Sequence, residues 1–163
     1  MRIPSLLAAM AGVLLMMPAS ADAQVRLGPQ ISFGDDTDFG IGGRIVANVE
    51  SLPHWDFIGT FDVFFIDDNP NFDRSYWEIN GNLAYNFGVP EAPSLSPYVG
   101  GGLNISRFSA TDVSSGADFD NTDLGLNLFV GTQFEGGSVT PFAEFRIVAE
   151  GAEQVVLTGG ILF

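Results

Sequence analysis

The chain has 163 residues, 6 basic side chains (all arginine) against 20 acidic ones, a formal net charge of −14, no cysteine, 20 glycines and 46% hydrophobic residues, with a mean hydropathy of +0.24. This acidity excludes a nucleic-acid binder, which needs a basic face to neutralise phosphates, and the hydrophobicity excludes a disordered chain. Without cysteine there is no disulfide framework, thiolate metal site, cysteine nucleophile or lipid-modified N-terminal cysteine, and the length suits one domain.

Residues 1–23 read as a signal peptide rather than as part of the fold. Arg2 is followed by an apolar run from Leu6 to Met17, then Pro18 and the small-residue pattern Ala21-Asp22-Ala23. That is a positive n-region, an h-region of about 12 residues and a cleavage site. The run is too short for a membrane-spanning helix, which needs roughly 20 apolar residues. Cleavage is predicted before Gln24, with Ala19-Ser20-Ala21 offering a second site before Asp22. The expected mature chain, residues 24–163, is exported and forms one domain.

Within it the recurring signal is period two, the repeat of a β-strand with unlike faces. A first strand carries Val25, Leu27, Ile31 and Phe33 on one face and Arg26, Gln30 and Ser32 on the other. After the acidic turn with Asp35, Asp36 and Asp38, Ile41, Ile45, Ala47 and Val49 oppose Gly42, Arg44 and Asn48. A third strand sets Trp55, Phe57, Phe61, Val63 and Phe65 against Asp56, Ile58, Thr60, Asp62 and Phe64. The segment from Asp67 to Arg74 is predicted as a loop, followed by Trp77, Ile79, Leu83, Tyr85 and Phe87 against Glu78, Asn80, Asn82 and Asn86. The Gly88–Ser96 turn leads to Val99, Leu103 and Ile105 against Gly100, Gly102, Asn104 and Ser106. A long polar loop is predicted from Ser109 to Asn121. Then Leu124, Leu126, Leu128, Val130 and Phe134 oppose Gly125, Asn127, Phe129, Gly131 and Gln133. The Glu135–Ser138 turn precedes Ala143, Phe145 and Ile147 against Phe142, Glu144 and Arg146. A last strand has Val155, Leu157, Ile161 and Phe163 against Val156, Thr158 and Leu162. Eight strands of about ten residues match the smallest up-and-down antiparallel transmembrane barrels.

Two arguments decide which face points outward. An eight-stranded barrel is only wide enough inside to be filled by side chains, so the bulky apolar face cannot fit there. The other face, rich in Gly, Asn, Ser and Thr and without lysine, does not look like a soluble surface. This disfavours a soluble, lipocalin-like periplasmic barrel. If the apolar face meets lipid, its lack of charge is explained. Trp55, Phe57, Tyr85 and Phe87 near the short turns, and Phe33, Phe65 and Trp77 near the loops, then form two aromatic girdles. An arginine should accordingly impair assembly far more at Leu103 than at Asn104, since only the first should face lipid.

The segment Pro97-Tyr98-Val99-Gly100-Gly101-Gly102-Leu103-Asn104-Ile105-Ser106, the opening Gly28-Pro29-Gln30-Ile31-Ser32-Phe33-Gly34 and the closing Thr158-Gly159-Gly160-Ile161-Leu162-Phe163 together resemble the small outer membrane β-barrel proteins, the OmpX-like and opacity-protein-like group. The resemblance covers the whole mature chain and implies a fold rather than an activity. It implies residence in a Gram-negative-type outer membrane, contact with its lipid and lipopolysaccharide, and delivery by periplasmic chaperones to the barrel-assembly machinery. In that setting Phe163, with Ile161 and Leu157 on the same face, resembles the C-terminal signal such machinery reads.

The lumen-facing charges are then Arg26, Arg44, Arg146, Asp56, Asp62, Glu78 and Glu144. Buried in a narrow barrel they must pair, which favours a structural polar network that plugs the lumen over a porin-like ion path. A hydrolase would need a Ser/His/acid arrangement. The single histidine, His54, sits between Ser51 and Asp56 in a turn expected to face the periplasm. The late-strand His and Ser of lipid A deacylases have no counterpart here. Asp67, Asn69, Asn71, Asp73, Ser75 and Glu78 stand at positions 1, 3, 5, 7, 9 and 12 of an EF-hand-like spacing. However, Phe72 replaces the glycine at position 6, Pro70 intrudes and no helices flank the segment, so the spacing is coincidental. The outer aspartates, among them Asp68, Asp112, Asp118 and Asp120, form a solvated rim in preference to a divalent-cation bridge to lipopolysaccharide phosphates. The expected protein is a monomeric, non-enzymatic barrel without cofactor, acting in membrane structure or integrity or in surface interaction.

Overall fold

The structure, a computed structural model, describes residues 25–49, 51–66, 71–150 and 153–163. The expected signal peptide lies outside the described residues, as do Asp67, Asp68 and Asn69. The strands are β1 (Val25–Gly34), β2 (Asp38–Asn48), β3 (Trp55–Phe65), β4 (Phe72–Asn86), β5 (Leu95–Asp112), β6 (Asp118–Phe134), β7 (Thr140–Ala149) and β8 (Gln154–Leu162). They form one closed antiparallel barrel in which each strand pairs with its chain neighbours and β1 pairs with β8. The closing seam runs to the chain end: Leu27 N–H donates to the Phe163 carbonyl at 3.3 Å, and Phe163 N–H to the Leu27 carbonyl at 2.9 Å. Because the strand number is even, both ends of the described chain lie at one end of the barrel, called the terminal end below; the other is the distal end.

The period-two pattern becomes an inverted barrel. Leu103, Leu128 and Leu157 stand outside, more than half exposed, while Asn104, Glu78 and Asp62 are completely buried. An apolar belt of this extent around an entire barrel has no place in water and is satisfied by hydrocarbon. Closure pairs the backbone groups that lipid cannot.

The predicted loops are shorter than expected. β4 begins at Phe72, β5 continues to Asp112 and β6 begins at Asp118, so Phe72–Arg74 and most of the Ser109–Asn121 segment are strand. Pairing of β3 with β4 ends at Phe64–Tyr76, and pairing of β6 with β7 ends at Leu126–Ala149, while β5 and β6 stay paired out to Thr111–Asp118. The surplus lengths of β4, β5 and β6 therefore form a three-stranded sheet projecting from the distal end. Outside the bilayer a strand needs no apolar face, which is why hydropathy alternation does not reveal it.

The tip is built for a tight turn. Asp112 Oδ1 accepts from the Ser114 hydroxyl at 2.7 Å, Ser114 N–H at 2.8 Å and Ser115 N–H at 3.0 Å. Gly116, at φ 69°, supplies the left-handed residue that an L side chain rarely adopts.

The two faces lie as expected at Leu103 and Asn104, but packing limits the arginine comparison between them. Leu103 faces outward, but Asn104 is completely buried and donates to Asn80 Oδ1 at 2.8 Å, so the lumen has no room for arginine there. The discriminating comparison is therefore made at one position. Leu103→Arg should destabilise the folded barrel by about 2–4 kcal/mol, and Leu103→Phe should be close to neutral, measured by urea unfolding in lipid vesicles.

Candidate functional site: a filled lumen and a projecting sheet

The lumen is filled in three layers. At the terminal end Val46, Ile58, Ala84, Tyr98, Phe129, Phe142 and Leu162 form an apolar cluster. Its rings fit because each faces a glycine on the adjacent strand: Tyr98 opposite Gly131, Phe129 opposite Gly100 and Phe142 opposite Gly160. A Cβ at any of these glycines would run into the ring. At the distal end Phe64, Tyr76 and Val156 form a second cluster, with Ile66 and Phe108 packed against it.

Between the two caps lies the polar layer. Arg44 pairs with Glu144 at 2.6 Å, donates to the Tyr98 hydroxyl and to Gln30 Oε1 at 3.1 Å each, and lies 4.2 Å from the centre of the Phe142 ring. Arg146 pairs with Glu78 at 2.9 Å. Glu78 also accepts from the Tyr76 hydroxyl at 2.8 Å and from Gln154. Thr37, in the β1–β2 turn, donates to Gln154 Oε1 at 3.1 Å. Asn127 donates to Asn80 and Asn82, and Asn80 donates to Thr60.

The seven charged residues expected in the lumen all lie on the inward face, but they are not used alike. Arg44, Glu144, Arg146 and Glu78 form two ion pairs that join β2 to β7 and β4 to β7. Arg26 and Asp56 stand at the terminal mouth, 3.9 Å apart, where Asp56 also accepts from Asn48 at 2.7 Å and Asn86 at 3.0 Å. Among the described residues Asp62 has no ion pair and is held instead by Gln30 Nε2, at 2.8 and 2.9 Å, and by the Ser32 hydroxyl at 3.1 Å. Sequence reasoning missed the neutral partners Gln30, Tyr76, Tyr98 and Gln154. Their inward parity was the available signal.

The other candidates are not assembled. Asp73 is exposed while Glu78 is buried and committed to Arg146; their odd spacing puts them on opposite faces of β4. Among the described residues no group of three His, Cys, Asp or Glu side chains could hold a metal ion; Asp67 and Asn69 of the EF-hand-like set lie outside the described residues. No hydrogen bond joins the His54 ring to Ser51 or Asp56; the ring lies 6.0 Å from that of Tyr85. Two surface clefts, of about 390 and 380 Å³, both lie outside the lumen, one beside His54 and the other against Pro29 and Gly159. Leu157, Ile161 and Phe163 all point outward along β8.

The aromatic residues form two clusters. Trp55, Tyr85 and Phe87 lie in sequence at the terminal end, with centroids 5.4 and 5.1 Å apart. Phe33, Phe39 and Phe65 do so at the distal end, 5.4 and 5.9 Å apart. Two girdles bounding an apolar band, around a lumen capped at both ends, define an integral β-barrel of the outer membrane.

The comparisons agree. The family model for the outer membrane protein beta-barrel domain matches residues 5–142, and the chain belongs to that family. Among solved structures it is similar to Neisserial surface protein A, at 19% identity and a TM-score of 0.62 over 86% of this chain and 97% of that one. It is similar to Ail, the attachment invasion locus protein of Yersinia pestis, at 16% and 0.62 over 86% and 94%. It also matches the N-terminal β-barrel domain of Pseudomonas aeruginosa OprF, at 16% and 0.63 over 87% and 98%. At these identities the likeness is one of fold. No curated protein matches the chain by sequence. The protein resides in the cell outer membrane.

Two predictions follow from the charges. Arg146→Met leaves the Glu78 carboxylate buried without its cation and should cost about 3–5 kcal/mol, whereas Arg146→Met with Glu78→Leu should recover most of the loss, measured by urea unfolding in vesicles. At the projecting tip, the Ser114 hydroxyl and then the Ser115 and Ser114 N–H groups hold the Asp112 carboxylate below its ordinary range. A depressed folded-state value contributes stability above the unfolded value and loses it as pH falls through the folded one. The tip should therefore stay closed through the usual carboxylate range and open only in stronger acid, as followed by the amide shifts of Ser114 and Ser115.

Proposed function

We propose that the protein is a non-enzymatic, non-conducting component of the outer membrane that contributes to membrane integrity and makes surface contacts through its projecting sheet. The observation that carries this reading is the lumen, occupied by cross-bonded side chains between two apolar caps. A conducting path of the kind found in porins needs a continuous polar channel, and here the Phe64–Tyr76–Val156 and Tyr98–Phe129–Phe142 clusters interrupt it. A lipid-modifying activity is disfavoured because the single histidine, His54, lies in the β2–β3 turn at the terminal end.

In the proposed orientation that end faces the periplasm, reached by a chain exported on a Sec-type signal peptide, and the β4–β6 sheet faces outward. Outer membrane lipid and lipopolysaccharide surround the apolar belt of a monomer. Periplasmic chaperones carry the unfolded chain, and the barrel-assembly machinery reads Phe163, Ile161 and Leu157 at its end. One of the similar folds belongs to a protein described as an attachment invasion locus protein, which is consistent with a contact role for the sheet here.

Planar bilayers containing the folded protein should show no steady conductance; a stable open level altered by Glu78→Gln would overturn the sealed-lumen reading. Replacing Arg107–Asp123 by a short turn should leave the barrel folded and reduce attachment of expressing cells to surfaces.

A further inference from the structure

The cleft of about 390 Å³ beside His54 opens at the terminal rim of the barrel. His54 comes to it from the β2–β3 turn, Phe87, Leu95 and Ser96 from the β4–β5 connection and the start of β5, and Glu135 from the β6–β7 turn. Main-chain bonds fasten these turns to one another. Asn86 N–H donates to the His54 carbonyl at 2.8 Å and the Asn86 side-chain amide donates to it at 3.2 Å, while Glu135 N–H donates to the Ser94 carbonyl at 2.7 Å. Within the middle turn Ala92 N–H donates to the Val89 carbonyl at 3.0 Å and Leu95 N–H to the Ala92 carbonyl at 2.9 Å. The cleft is therefore preformed, which spares a ligand the cost of ordering it. These bonds also hold His54 at φ 70°, a left-handed backbone that residues other than glycine seldom adopt, and such strain persists only where the surroundings impose it.

The side chains specify what fits there. Among the described residues the His54 imidazole, the Ser96 hydroxyl and the Glu135 carboxylate take part in no hydrogen bond. Beside them the wall is apolar: Phe87 is 44% exposed, and Leu95 pairs with Phe134, 47% exposed, on the lipid-facing side. Phe87 also continues the aromatic cluster of Trp55 and Tyr85, so the cleft stands at the level where headgroups meet hydrocarbon. A ligand matched to this set has an anionic oxygen for the imidazole N–H and the hydroxyl, a cationic N–H group for the carboxylate and the face of Phe87, and hydrocarbon for Leu95 and Phe134. A purely anionic amphiphile meets repulsion from Glu135, and no lysine or arginine lines the cleft to offset it.

We infer that this rim cleft binds the headgroup of a glycerophospholipid that carries a primary ammonium group. Its phosphate accepts from His54 and Ser96, its ammonium donates to Glu135 beside the Phe87 ring, and an acyl chain runs along Leu95 and Phe134. The choice of phospholipid over lipopolysaccharide rests on the proposed orientation, which places the terminal end in the periplasmic leaflet.

The test uses the full protein folded in phosphatidylcholine vesicles that contain increasing fractions of a brominated lipid, with a phosphatidylethanolamine or a phosphatidylglycerol headgroup on identical chains. Bromine quenches tryptophan on contact. Trp77→Phe leaves Trp55, in the cluster beside the cleft, as the reporter. Trp55→Phe leaves Trp77, toward the distal end, as the control for lipid that only surrounds the barrel.

The ethanolamine lipid should displace phosphatidylcholine from Trp55 about threefold more effectively than the glycerol lipid does, and the difference should vanish in Glu135→Gln and be absent at Trp77. Glu135 is an exposed turn residue, so the substitution leaves the barrel folded. Equal quenching by the two lipids at Trp55, a preference that survives Glu135→Gln, or the same preference at Trp77 would overturn the inference. Orientation is read separately. A cysteine introduced by Glu91→Cys, at an exposed position of the middle turn, should be closed in intact cells to a maleimide too large to cross the outer membrane. Labelling there would reverse the orientation and remove the assignment to phospholipid, while the headgroup preference in vesicles would stand.

Discussion

Everything in this barrel depends on hydrogen-bond closure in a medium that offers no alternative partner. In hydrocarbon an unpaired backbone group costs several kcal/mol, so the sheet must return to its first strand. Here it does so through the β1–β8 register and the reciprocal Leu27–Phe163 bonds. Closing with only eight strands makes the interior narrow, and narrowness determines the rest. Inward positions must be small or fit against a small neighbour, and any charge among them must meet a partner.

The lumen meets these demands as a protein core would, with polar material in its middle layer. Glycines opposite Tyr98, Phe129 and Phe142 create the space the rings occupy. The Arg44–Glu144 and Arg146–Glu78 pairs join strands that are not neighbours in the sheet. Buried pairs of this kind add little net stability over apolar packing, yet removing one partner is costly. Their value here lies in fixing which residues oppose one another across the interior, and the amide cluster of Asn80, Asn82, Asn104 and Asn127 does the same between β4, β5 and β6. The sealed interior leaves the outer surface and its projecting sheet as the parts able to meet other molecules.

Much of this was legible in the residues because a two-sided environment writes a two-residue period. Along β5 the alternation of Val99, Leu103 and Ile105 with Gly100, Asn104 and Ser106 identified both the strand and its lipid face. The same logic failed where the environment is water on both sides. Phe72–Arg74 and Ser109–Thr111 are strands without an apolar face and read as loops. Spacing alone could not see that Asp73 and Glu78 point to opposite sides of one strand, nor that Asn104, although inward, sits in a packed layer with no spare volume. The roles of Tyr76 and Tyr98 were hidden because an aromatic residue with a polar tip suits either an interface or a lumen, and only the neighbouring glycine or carboxylate distinguishes them.

The central claim is the orientation of the two faces, and the absence of native cysteine makes it directly measurable. Single cysteines placed in turn at the outward positions Val99, Leu103, Ile105, Leu126 and Leu128, spin-labelled in folded protein in vesicles, report access of oxygen dissolved in the hydrocarbon against access of a water-soluble nickel chelate. The account predicts high oxygen access and low chelate access at all five, with Leu103 and Leu128, set deeper in the band than Val99, the most oxygen-accessible. Labels that contact the chelate freely, or that are shielded from both reagents, would contradict it.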